Sequence, residues 1–172
     1  MPQILGQFCI NVSDLERSVA FWTEVMGIPV QSRTEIPGVL EAVLQAPEGG
    51  ARMQLAQWIE REGPIDMGSA MWKLYVNTDD CNAIYARAVA AGCESVSAPE
   101  RLERWPVTVA FVKDPDGYLL ELIEYHEGTR KGVPDPKAHA SAASWLADDP
   151  APDSPLEPTE GTRMTGGALK MS

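Results

Sequence analysis

Residues 4–58 and 68–125 read as two copies of one βαβββ unit, offset by about 64–67 positions. A fixed internal period constrains the fold before any residue is given a task. The first copy opens on Phe8-Cys9-Ile10-Asn11-Val12, continues into a helix carrying Phe21, and stops at Gly27. The second opens on Trp72-Lys73-Leu74-Tyr75-Val76, continues into a helix carrying Tyr85, and stops at Gly92. Each copy closes on a turn and a strand: Ala46-Pro47-Glu48-Gly49 before Met53-Gln54-Leu55, and Asp114-Pro115-Asp116-Gly117 before Leu120-Glu121-Leu122. Two such half-barrels facing one another would generate one cleft, with equivalent positions pointing into it.

The expected fold is therefore α+β: two tandem βαβββ modules forming an open, cleft-enclosing mixed sheet, followed by a Pro/Ala-rich C-terminal tail. The boundaries read as 1–58 for the first module, 59–69 for a linker, 70–127 for the second module and 128–172 for the tail. Ser13 and Glu16 have capping-box spacing. Leu15, Val19, Trp22, Val25 and Met26 then recur at helical spacing. The second helix is expected to start near Asn77 or Thr78, with Asp79 and Asp80 at its positive end. Ala83, Ile84, Ala88, Val89 and Ala91 make up most of its buried side. Six of the fourteen prolines fall between Pro134 and Pro158. That composition does not fold independently, and Trp145-Leu146 is its natural anchor.

A formal net charge of −11 argues against nucleic acid, which demands a basic footprint, and against anionic membrane surfaces. No apolar run approaches a membrane span, and no secretory leader is visible. Three cysteines, Cys9, Cys81 and Cys93, form no disulfide framework and no metal-type CxxC; buried thiols in a reducing cytoplasm are the expectation.

Two segments carry a specific likeness: Val12-Ser13-Asp14-Leu15-Glu16-Arg17-Ser18-Val19-Ala20-Phe21-Trp22, and Phe111-Val112-Lys113-Asp114-Pro115-Asp116-Gly117-Tyr118-Leu119-Leu120-Glu121-Leu122. With the duplication, they make residues 4–126 resemble the vicinal oxygen chelate superfamily. That group includes glyoxalase I, extradiol dioxygenases, methylmalonyl-CoA epimerase, fosfomycin-resistance enzymes and bleomycin-binding proteins. The resemblance implies a homodimer. It also implies a divalent metal held by two side chains from each module, at positions occupied here by Gln7, Gln54, Met71 and Glu121. A thioether at Met71 suits copper(I) better than zinc, nickel, iron or manganese and leaves Glu121 the one anionic ligand. No cofactor is therefore expected. Were a metal to bind, Gln7, Gln54 and Glu121 would hold it.

Strand alternation puts Gln7, Cys9 and Asn11 on one face with Met71, Lys73 and Tyr75. Arg52, Gln54 and Ala56 likewise share a face with Leu119, Glu121 and Ile123. Phe8, Ile10, Val12, Trp72, Leu74 and Val76 then turn toward the helices, with Trp22 and Trp72 in the core. The candidate catalytic set is Glu121, Lys73, Tyr75 and Arg52. Gln7, Cys9, Asn11, Gln54, Met71, Trp58, Trp105 and Phe111 supply the substrate walls. A carboxylate in a partly apolar pocket can carry a proton, while a cation or a phenol beside it stabilises an enolate. Cys9 lacks a histidine partner, which weakens it as a nucleophile.

The leading expectation is a glyoxalase-fold protein with a degenerate metal site acting on a small oxygenated molecule. Its chemistry would be isomerase- or lyase-type proton transfer through Glu121. The alternatives are a ligand-sequestering, antibiotic-resistance-like binding protein and a divalent-metal glyoxalase, epimerase or dioxygenase. The competing structural reading makes Lys73 and Arg52 simple offsets to the Glu121 charge.

Overall fold

The computed structural model describes residues 6–47, 49–102 and 107–126; the tail and Trp105 lie outside the described residues. The element order is β1 (Gln7–Asn11), α1 (Leu15–Ala20), β2 (Val30–Ile36), β3 (Val39–Leu44) and β4 (Arg52–Trp58). It repeats as β5 (Leu74–Thr78), α2 (Cys81–Ala90), β6 (Ser95–Leu102), β7 (Val107–Lys113) and β8 (Leu119–Tyr125). Two four-stranded mixed sheets result, ordered β1-β4-β3-β2 and β5-β8-β7-β6. The tandem βαβββ architecture is thus present.

In each module an antiparallel meander of three strands is joined by the module's first strand. That strand pairs in parallel with the last, Gln7 with Arg52 in one module and Leu74 with Leu120 in the other. A parallel pair requires a long crossover, and α1 and α2 begin those crossovers. The helix-facing strand positions Ile10, Val12, Leu55, Leu74, Val76, Leu120 and Leu122 are buried in one apolar cluster. Trp22, Ile84 and Ala88 from the helical segments join them there.

The first helix departs from a plain α pattern. After Ala20 the chain opens into a π turn over Phe21–Val25, in which Met26 N donates to Phe21 O at 3.1 Å. The wider turn lets the adjacent Phe21 and Trp22 both be buried, their rings edge-to-face at 5.5 Å. Gly27 and Gly92 follow the two helical segments with φ of 76° and 88°. That left-handed geometry favours glycine.

Several local expectations need correction. The N-cap of α1 is Asp14, whose Oδ1 accepts from Arg17 N at 3.0 Å. Ser13 is drawn away by a charged acceptor on the other module, Asp116, since a hydrogen bond to an ion is the stronger option. Glu16 instead receives both guanidinium nitrogens of Arg33. In the second module β5 runs on through Thr78, and Asp80 caps α2 by accepting from Ala83 N at 2.8 Å. The buried stripe of α2 is Cys81, Ile84 and Ala88, the i, i+3, i+7 row, whereas Val89 is exposed.

Trp72 is not a core residue: it is 67% exposed. The parallel ladder begins only at Leu74 opposite Leu120, so Trp72 lies before the strand and strand alternation does not govern it. Phe8, also assigned to the helix side, is 36% exposed. Of the three thiols, Cys81 is buried, Cys93 half-buried and Cys9 exposed. No described helix is long and apolar enough to cross a membrane.

One polar clamp joins the modules. Asp116, in the β7–β8 turn, has a side chain only 3% exposed. It accepts from Arg17 Nη2 at 2.6 Å, Ser13 N at 3.2 Å and Ser18 Oγ at 3.2 Å, and also from Ser13 Oγ. Tyr118, two residues on, donates its hydroxyl to Asn11 O at 2.8 Å.

Candidate functional site

The site grows from the edge of β5 and the middle of β8. Tyr75 and Phe111 both stand in register with Glu121, one from each flanking strand. Lys73, just before β5, reaches the same carboxylate, with Nζ 2.5 Å from Glu121 Oε2. Both side chains are close to buried, at 11% and 10% exposure. Glu121 Oε2 has no partner of hydrogen-bond geometry among the described residues, so the approach of Lys73 is a charge contact.

Three aromatic rings surround the ammonium: Trp72 at 4.1 Å, Tyr75 at 4.9 Å and Phe111 at 5.5 Å from ring centroid to Nζ. Their electron-rich faces favour a cation at that point. Burial pulls the Lys73 pKa down, but the Glu121 carboxylate and the Tyr75 hydroxyl more than reverse it, leaving a net rise. Lys73 therefore stays an ammonium at neutral pH. The arrangement can present a carboxylate oxygen to a C–H proton and a fixed positive charge to the developing oxyanion.

Other sequence candidates sit elsewhere. Gln7 and Gln54 meet on the face of the first sheet turned away from its helix, Gln7 Nε2 donating to Gln54 Oε1 at 2.5 Å. Asn11 Oδ1, farther along that face, accepts from Trp58 Nε1 at 3.1 Å. Arg52 leans toward Gln31, its Nη1 donating to Gln31 Oε1 at 3.5 Å. Cys9 lies beside Glu41; burial first and that negative charge second push its thiol pKa up, which disfavours a thiolate. Met71 is 36% exposed and precedes β5.

Two neighbours of the charge pair went unassigned from sequence: Trp72, placed in the core, and Tyr125. Burial raises the Tyr125 pKa, and the negative charge of Glu121 adds to the rise, so this phenol shares the site's field. The signal for Tyr125 was available, because it continues the Leu119, Glu121, Ile123 parity of β8.

Asp114 opens the turn that aims β8. Its Oδ1 accepts from Asp116 N at 2.9 Å and Tyr118 N at 2.8 Å, while Oδ2 is buried without a partner among the described residues. Burial lifts its pKa to about 6 against those backbone donors. Between pH ~4 and pH ~6 the folded chain keeps a proton that the unfolded chain has released, so stability falls as pH rises through this window. The contribution is up to about 3 kcal/mol. Asp114→Asn keeps the Oδ1 acceptor and removes the slope. The melting temperature of the variant relative to wild type should therefore be higher at pH 7.5 than at pH 4.5, and equal offsets at both pH values would refute the assignment.

A family model described as the Glyoxalase/Bleomycin resistance protein/Dioxygenase superfamily matches residues 4–122. The chain belongs to that superfamily. Among curated superfamily proteins, a probable lactoylglutathione lyase of Vibrio parahaemolyticus is 33% identical over 120 residues, covering 67% of this chain and 86% of the relative. Among solved structures of the glyoxalase fold, glyoxalase I of Zea mays superposes with a TM-score of 0.63 at 22% identity. That match covers 69% of this chain, which spans only 43% of the maize protein. The trypanothione-dependent glyoxalase I of Leishmania major superposes with a TM-score of 0.62 at 21% identity, covering 85% of this chain and 99% of its own. The structural likenesses, at such identities, show the fold alone. The sequence likeness supports lyase-type activity at the level of the superfamily.

The superfamily relatives also correct one expectation. Absence of a cofactor does not stand, because lactoylglutathione lyases such as the Vibrio relative's namesakes are typically metal-dependent enzymes. As placed in this chain, though, the donor side chains do not fit a divalent ion. The Gln54 amide oxygen is taken by Gln7, and the one carboxylate of the set is neutralised by Lys73. Among the described residues no group of three or more His, Cys, Asp or Glu side chains gathers to hold a metal.

Proposed function

We propose that this superfamily member is a lyase or isomerase that moves a proton at a carbon next to a carbonyl, with Glu121 as the proton carrier. One observation carries the reading: the nearly buried Lys73–Glu121 pair, 2.5 Å apart and ringed by Trp72, Tyr75 and Phe111. A substrate carbonyl entering the ring would compete for Lys73, releasing the Glu121 carboxylate toward the adjacent C–H bond. The ammonium then opposes the charge that gathers on the enolate oxygen. Tyr75 and Tyr125 supply phenols beside the same carboxylate. Gln7, Cys9, Asn11 and Gln54 share the helix-averted face of the first sheet, which this reading assigns to the substrate.

The likeness to lactoylglutathione lyases makes S-lactoylglutathione the first substrate to try. Incubation of the full chain with it in deuterium oxide should place deuterium at the carbon beside the thioester carbonyl, read by proton NMR. The trial is run on protein as purified and after soaking with nickel, zinc, iron or manganese. Protein that neither exchanges that proton nor turns over the thioester, in any metal state, would count against this substrate. Failure across a panel of 2-hydroxy and 2-oxo thioesters and acids would overturn the proton-transfer reading. A homodimer is part of the proposal, and light scattering should give twice the 18.7 kDa of one chain.

A further inference from the structure

A groove of about 470 Å³ lies where the two modules meet, with Lys73 and Tyr75 in its wall. Those two residues belong to the proposed catalytic site: Lys73 Nζ meets Glu121 and lies 4.9 Å from the Tyr75 ring. The groove is therefore an extension of that site. The rest of its lining is aliphatic, aromatic or thioether, and includes Phe8, Ile28, Leu44, Met53 and Met71. Leu44 and Met53 are buried, whereas Phe8, Met71 and Tyr75 stay exposed. Apolar side chains that the fold leaves in water beside a concave, apolar floor mark a surface that a ligand covers.

We infer that this groove holds the acyl arm of the substrate, and that the arm is an uncharged alkyl or aryl group larger than methyl. The inference rests on the proton-transfer reading and adds to it the part of the substrate that sets specificity. Three features select that chemistry. Beyond Lys73 and Tyr75 the lining offers only apolar side chains, so the arm is apolar. The one cation in the wall is already balanced by Glu121, so an ionised arm would leave water without a counter-charge. The volume falls in the range that accommodates whole small molecules, and the single methyl of a lactoyl group would leave most of it empty.

The test uses thioesters of one neutral thiol, N-acetylcysteamine, with three acids: lactic, 2-hydroxyhexanoic and 2-hydroxyadipic, the last joined through its hydroxylated end. The second and third share a chain length and differ by a terminal carboxylate. Dissociation constants are measured by calorimetry on the full chain, and deuterium exchange at the carbon beside the thioester is followed separately. At about two- to four-fold per methylene, the hexanoyl ester should bind roughly ten- to sixty-fold more tightly than the lactoyl ester. The adipoyl ester should bind no more tightly than the lactoyl ester. Ala51→Phe, at an exposed position in the groove wall, should shrink the hexanoyl-to-lactoyl ratio to less than about three-fold. Equal affinities across the series, an adipoyl ester as tight as the hexanoyl, or an unchanged ratio in Ala51→Phe would each overturn the inference. Graded binding without proton exchange in any of the esters would refute the proton-transfer reading and leave the groove's preference standing. Exchange with affinities that ignore the arm would do the reverse.

Discussion

Glu121→Gln should lower turnover by a factor of about 10²–10⁴ while the chain stays folded, because the substitution keeps the shape and removes the proton acceptor. The same change strips Lys73 of its counter-charge. Removing one partner of a buried pair leaves the other uncompensated, at a cost of about 3 kcal/mol. With 11% of the Lys73 side chain exposed, part of that cost is recovered by hydration. The chemical and structural consequences separate in the double variant Glu121→Gln/Lys73→Met. Replacing both charges by neutral groups of similar size should restore the thermal midpoint. Turnover should stay lost. Activity recovered together with stability would mean that Glu121 acts only as ballast for Lys73.

The second large effect is expected at Asp116, far from the charge pair. Its carboxylate collects donors from Ser13, Arg17 and Ser18, all on the other module. Asp116→Ala would leave the Ser13 amide and two hydroxyls without an acceptor, a loss of about 3 kcal/mol. The melting temperature should drop by on the order of 10 °C. Arg17→Ala is the control: that side chain is 48% exposed, and losing it should cost less than about 1 kcal/mol. If both variants melted alike, the clamp would be an ordinary surface ion pair.

The repeat and its stops were legible because they are local. Helix-facing Ile10, Val12, Leu74 and Val76 follow from strand parity alone, and Gly27 and Gly92 mark where helical geometry ends. Glu121 was also readable from the parity of β8, and Lys73, although it lies just before β5, keeps the side that alternation gave it and meets that carboxylate. Trp72 was not, because no sequence signal says at which residue a parallel ladder begins. Ser13 misled for a different reason. Its capping role was taken from the residues beside it, whereas its partner Asp116 lies about a hundred positions downstream. Long-range electrostatics of this kind leaves no periodic trace. Gln7 and Gln54 show the same limit: they were read as separate substrate-facing amides, ligands only were a metal to bind, and in the structure one amide occupies the other.

The parallel pairing of first strand with last also sets a timetable. Gln7 waits for Arg52 and Leu74 for Leu120, each about 45 residues downstream. At a synthesis rate of about 5–20 residues per second, each opening strand spends roughly 2–9 s on the ribosome before its neighbour exists. The hairpins formed by β2, β3 and β4 close in microseconds once made, so the nascent chain should acquire protection in two pulses, one per module. During each wait Ile10 or Val76 is bare of its partner strand, and chaperones would find their targets there.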